Sequence, residues 1–327
     1  MQLSPIHRDE KTIVALARCD RYESERLRET LQEVLEPFGG MRAFVRPGMR
    51  VLLKPNYVVA RRAEAAANTH PLFILAVAEL VRECGGEPFV GDSPGWGSAR
   101  GVAKVSGFLS VAEATGIPVV ELSSAVATPL PFGTTKHLKL SRAMCEADLI
   151  INLPKFKAHQ QMLMTLAVKN CFGCVPGRRK AALHMLSRDN REWFARMLIE
   201  NYVLVRPQLH LMDGILAMEG NGPSNGKPRP LGVVMAATDA VAMDRVAVEL
   251  VGLPWHQLTT LVAAQEMGVG ITDLEKIELI GPPLDSLRCS SFELPLLMPI
   301  SFSPYRVLRG LVRNYLIRLA ERRREMA

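Results

Sequence analysis

Aromatic side chains are scarce in this chain, at 6 % of 327 residues, which argues against a base-stacking surface for single-stranded nucleic acid. No stretch reaches about 18 uninterrupted apolar residues, the length that a membrane-crossing helix needs. The first twenty residues carry charges where a secretory leader needs its apolar run, which predicts a cytoplasmic location. The six cysteines, at 19, 84, 145, 171, 174 and 289, are scattered and form no four-cysteine cluster run, so reduced thiols are expected. Only Cys171 and Cys174 stand at CxxC spacing. That pair reads first as two buried structural thiols, with a redox pair or a partial metal site as alternatives.

The formal charge of +7 is unevenly spread. Residues 306–327 hold seven arginines against two glutamates, a net of +5, which leaves +2 for the other 305 residues. A surface that tracks phosphates spreads its excess, so no nucleic-acid partner is expected for the main body.

What remains is an ordinary globular composition, 48 % apolar and 22 % charged, with strand and helix patterns in alternation. Strands are expected at 12–17, 50–53, 88–90, 119–122, 149–153, 209–212, 232–236 and 277–280. Helices are expected at 23–35, 71–84, 100–115, 192–203, 240–251 and 258–267. The alternation predicts an α/β fold, a mainly parallel sheet with helices on both faces. One α/β domain over 1–290 follows, with two lobes at 1–147 and 148–290 as a variant. Residues 291–327 read as a proline-broken linker and a basic amphipathic helix at 305–324.

Chemistry-bearing residues gather where strands end, the edge at which open α/β sheets bind ligands. Lys54-Pro55-Asn56 ends one strand and His70-Pro71 precedes a helix. The loop Gly91 to Gly97 carries Asp92 and Ser93 and is suited to presenting backbone N–H groups to an anion. Asp92 reads equally as an Asx-turn. The strand 149–153 runs into Pro154 and then delivers Lys155, Lys157 and His159 at alternate positions, with Lys169 and Asn170 following. Cations sharing one face repel unless an anion or acidic partner lies between them. Asp213 closes another strand, and residues 218–227, rich in glycine, read as a lid-like loop that joins no ladder. Asp239 is first of all a helix N-cap.

These positions give a set of expectations. Lys54, Asn56, His70, Asp92, Ser93, Lys155, Lys157, Lys169 and Asn170 would bind an anion. His159, Asp213 and Glu219 would be catalytic, and His159, Asp213 and Asp239 would ligate a divalent metal.

The ordered set KPN, HP, GDSPG, INLPKFKAH, AVKNCFG, DGILAMEGNGP and TDAVAMD, spread over residues 10–285, resembles the prokaryotic family called domain of unknown function 362. The resemblance implies an α/β domain often found beside ferredoxin-like iron–sulfur modules, with no settled reaction. No four-cysteine run follows Asp285 here, so no cluster of the chain's own is expected.

Two functions follow as expectations. The first is an enzyme acting on a small anionic molecule. The second is a redox or iron–sulfur-associated accessory protein working with a separate ferredoxin-like partner. For the helix at 305–324 three partners stay open: its own domain or a second copy in a homo-oligomer, an anionic membrane surface, or a redox protein.

Overall fold

A computed structural model describes residues 11–129, 133–134, 137–177 and 179–301, and the expected helix at 305–324 lies outside them. Among the described residues twelve strands occur in chain order: β1 (Thr12–Arg18), β2 (Arg50–Pro55), β3 (Glu87–Asp92), β4 (Val119–Glu121), β5 (Ala125–Pro129), β6 (His137–Ser141), β7 (Leu149–Leu153), β8 (Lys155–His159), β9 (Leu163–Thr165), β10 (Leu209–Glu219), β11 (Lys227–Ala237) and β12 (Ile277–Ile280).

Ten of them form one sheet, ordered β12-β1-β11-β10-β7-β2-β3-β4, with β8 added along β10 and β9 along β8. Neighbours from β10 through β7, β2 and β3 to β4 run parallel, as do β1 and β12 and β8 with β10. β11 is antiparallel to both its neighbours. The fold is therefore α/β with a mostly parallel sheet.

Apolar residues alternate along the strands and feed two cores. Leu52 and Leu16 face one core with the helices Arg191–Val205, Ala240–Leu250 and Thr259–Met267. Val51, Leu53 and Ala15 face the other with the helices Ser24–Leu35 and Pro71–Glu83. A sheet covered on both faces explains why β7 reads LIINL, apolar at nearly every position. No helix of the described residues is long and apolar enough to cross a membrane.

Four features depart from the sequence reading. The helix expected at 100–115 is two, Ala99–Ser106 and Phe108–Thr115, because Gly107 between them takes φ +91°, which only glycine adopts cheaply. The stretch 218–227 does join a ladder: Met218 pairs Pro228 and Glu219 pairs Lys227, so the turn shrinks to 220–226. An antiparallel partner supplies the pairing that the local composition hides. A hairpin of β5 and β6 and a short antiparallel pair of β8 and β9 also form from segments with weak local signals.

Pro154 positions the site. β7 lies between β2, which it pairs up to Leu153, and β10; beyond the proline β8 leaves β2 and pairs β10 from Lys155 opposite Asp213. The ends of β2, β3 and β7 therefore open onto the path of β8.

Candidate functional site

Three linked clusters occupy this edge. In the first, the fully buried Lys54 ammonium lies 3.1 Å from Asp92 Oδ2 and donates to Pro55 O at 2.6 Å. Asp92 also accepts from the Tyr57 and Ser93 backbone N–H groups at 2.7 and 2.6 Å. The pair fits because residue 173 is glycine, since a Cβ there would fall 2.5 Å from Lys54 Nζ and collide with Asp92. Ser93 Oγ accepts from Gly177 N at 2.8 Å, and Lys180 donates to Ser93 O.

In the second cluster, buried Lys155 donates to Asp213 Oδ2 at 2.7 Å and to Tyr22 Oη at 2.8 Å. Tyr22 donates in turn to Asp213 Oδ1 at 2.6 Å, and His70 N–H donates to Oδ2 at 2.9 Å. The Tyr22 ring stacks on His70 with centroids 3.6 Å apart. His70 caps the helix Pro71–Glu83 through Nδ1, and burial pushes its pKa down to about 4.

The third cluster has no carboxylate. Lys157 donates to Asn56 Oδ1 at 2.5 Å, Ala67 O at 2.7 Å and Pro223 O at 3.3 Å. Asn56 passes the chain of amides to Asn170 at 2.7 Å, Asn170 to Asn152 at 2.7 Å, and Asn152 meets His210 Nδ1 at 3.0 Å. Burial and the charges of Lys169 and Lys155 hold the Lys157 pKa well below the usual lysine range. Thr165, directly opposite Lys157 on β9, has a buried hydroxyl with no protein partner among the described residues.

The half-buried Lys169 ammonium makes no hydrogen bond or ion pair among the described residues, and burial with the nearby Lys180 pushes its pKa down to about 7. His159 stands in the field of Lys169, Lys157 and His184, and burial keeps it neutral. Its Nδ1 accepts from Gln161 N at 3.1 Å, so a neutral ring carries its proton on Nε2. His184 lies 3.2 Å through Nδ1 from Ile300 O, an acceptor, and therefore carries its proton on Nδ1.

The expected anion-binding residues are thus brought together, but several are already engaged: Lys54 and Lys155 by carboxylates and Lys157 by three oxygens. The expected catalytic triplet is not assembled by any contact. Glu219 turns away, accepting from Glu293 N at 3.1 Å near Arg229. The expected metal ligands do not share a site either. Asp213 is held by Lys155, Tyr22 and His70, while Asp239 caps the helix Ala240–Leu250 and accepts from Val241, Ala242 and Ile271 N–H groups. Among the described residues no three His, Cys, Asp or Glu side chains converge as metal ligands, so the donor set does not fit a divalent ion.

Cys171 and Cys174 are fully buried free thiols, and burial pushes Cys174 up to about 12 and Cys171 in the same direction. An open groove of about 380 Å³ lined by Arg50, Arg82, Glu87 and Phe89 lies at the opposite edge of the sheet, where β2 and β3 begin. Tyr22, Lys180, His184 and His210 escaped the sequence reading. Asn152 left a signal there, a polar residue inside a wholly apolar strand.

The model of the family "Domain of unknown function (DUF362)" matches residues 51–249, which contain most of this edge. The chain belongs to the DUF362 family. It is 42 % identical over 310 residues to the thylakoid-associated protein of Synechocystis sp., covering 94 % of this chain and 96 % of that protein. Among solved structures, the lactate racemase apoprotein of Thermoanaerobacterium thermosaccharolyticum is 10 % identical with a TM-score of 0.46, over 75 % of this chain and 58 % of that one. A protein from Thermotoga maritima is 14 % identical with a TM-score of 0.41, over 65 % of this chain and 55 % of that one. Neither structure transfers a residue role or a reaction to the DUF362 site.

Proposed function

We propose that this DUF362 protein is an enzyme that binds a small anionic molecule at the strand ends, in the cationic recess around Lys169. One observation carries the reading. Lys54, Lys155, Lys157, Lys169 and Lys180 converge, yet among the described residues only Asp92 and Asp213 pair with any of them, and Lys157 and Lys169 have no carboxylate partner there. Buried cations without counter-charge destabilise a fold unless an anion joins them. An anion at Lys169 would meet the Nε2–H of His159 as a neutral donor. Lys169, with a pKa of about 7, is suited to moving a proton near neutral pH.

The redox reading draws less support, because a thiol used in exchange must reach its partner as a thiolate, and burial opposes that at Cys171 and Cys174. The test is thermal unfolding with inorganic phosphate and with mono- and dicarboxylates. At least one of them should raise the midpoint of the wild type and leave Lys169→Met unmoved. A wild-type midpoint indifferent to every small anion would refute the proposal.

A second reading concerns location. The relative's name associates it with the thylakoid, and the seven arginines of residues 306–327 suit an anionic surface, so we place this chain beside a membrane.

A further inference from the structure

The stretch Phe292 to Ile300 is pinned to the body as an irregular ribbon. Phe292, Pro295 and Ile300 are buried, with Phe292 packed edge-on to Phe156 at 5.8 Å. Met298 N donates to Gln160 O at 2.7 Å, the Gln161 amide donates to Ile300 O at 2.8 Å, and Arg191 donates to Met298 O at 3.2 Å.

Its outward positions are apolar as well. Leu296 is 85 % exposed, and Leu294 and Leu297 are exposed beside it. The adjoining helix Arg179–Leu186, tied to the ribbon through His184 and Ile300, adds exposed Met185 and Leu186, the latter 63 % exposed. A ribbon that met only water would carry polar side chains at these positions, and five exposed large apolar groups on two segments joined by the His184–Ile300 contact mark an interaction surface. The chain that continues from this ribbon holds a net charge of +5 over 306–327. Apolar groups that can enter an acyl boundary, followed in the sequence by concentrated positive charge, match a bilayer with anionic headgroups.

We propose that Leu294, Leu296, Leu297, Met185 and Leu186 form the membrane-docking surface of this protein, inserting into the interface of an anionic bilayer. The inference rests on the reading that places the chain beside a membrane and adds which residues make contact.

The experiment is co-sedimentation of the full chain with vesicles of phosphatidylcholine alone and of phosphatidylcholine with about one-third phosphatidylglycerol. The wild type is expected to bind the anionic vesicles, more weakly as salt rises. Leu296→Asp combined with Leu297→Asp should reduce partitioning roughly a hundredfold, the loss of two inserted leucines, with an unchanged melting temperature. Absence of wild-type binding to any vesicle would remove the membrane location itself. Wild-type binding that the double variant retains in full would overturn only the surface assigned here. A double variant that melts earlier, or that turns a dimer into a monomer, would show that the leucines cover the chain itself or a second copy, and would also overturn it.

Discussion

A half-buried ammonium with no carboxylate beside it among the described residues still loses part of its hydration and weakens the ligand-free fold, and Lys169 is in that position. Its folded pKa of about 7 lies below the ordinary 10.5, so the unfolded chain binds the extra proton between those values. Ligand-free stability therefore rises with pH across that window. Lys169→Met should raise stability at pH 7 by about 1 kcal/mol or more, after allowance for solvent screening, while abolishing anion binding. A denaturant titration that shows Lys169→Met less stable than wild type would count against the unpaired amine. A bound anion lifts the lysine pKa, so binding near pH 8 should take up protons and weaken as pH rises further, which calorimetry in buffers of different ionisation enthalpy measures. Burial lowers the Lys155 pKa as well, but Asp213 opposes that shift, so Lys155 differs in having a carboxylate partner. Asp213→Asn leaves its charge buried and unpaired, and should cost about 3–5 kcal/mol in a urea melt. Loss of both charges in Lys155→Met with Asp213→Leu should cost less than that single change.

Among the elements, the short helix Ala167–Asn170 and the 3₁₀ turn Cys171–Cys174 hold the site's back wall. Asp244 fastens that wall from the far helix, accepting from Ala167 and Val168 N–H groups at 2.7 and 3.1 Å. Gly173 lets the wall approach the Lys54–Asp92 pair. Gly173→Ala should force those side chains apart and destabilise the fold by roughly 1–3 kcal/mol, with a calorimetric unfolding midpoint as the check. The site is thus built where two elements touch, and its lysines come from β2, β8 and the two helices beyond.

Across the whole molecule, acid is the direction of weakness. Burial lowers His70 to about 4, and His184 and His210 to about 3, against an ordinary 6.5. Each is neutral in the fold while the unfolded chain protonates, so stability present above pH 6.5 is lost as pH falls towards 4. Asp244, raised to about 8, and Asp239, also raised, act the other way over this window. His159, lowered well below 6.5 by burial, adds a fourth proton favouring the unfolded chain, and the four outnumber the two favouring the fold among the described residues. The urea midpoint at pH 5 should accordingly lie below that at pH 7.5, and an equal or higher midpoint would contradict the neutral histidines.

Much of the fold was legible because its signals are local. Continuous apolar runs such as LIINL mark strands covered on both sides, and Pro71 with the glycines at 85–86 bounds a helix. The extended ladder at 218–227 and the β8–β9 pair were not legible, since pairing depends on a partner distant in sequence or on a turn with no strong signal. The same divide runs through the site. That lysines, an imidazole and amides collect at strand ends follows from residue order alone, because strand direction in a parallel sheet carries them to one edge. Which lysine meets a carboxylate and which does not was decided only by tertiary structure. Ion pairing falls off within a few ångströms, and the break at Pro154, beyond which the chain leaves β2 but stays beside β10, set Lys155 against Asp213 and left Lys157 among neutral oxygens.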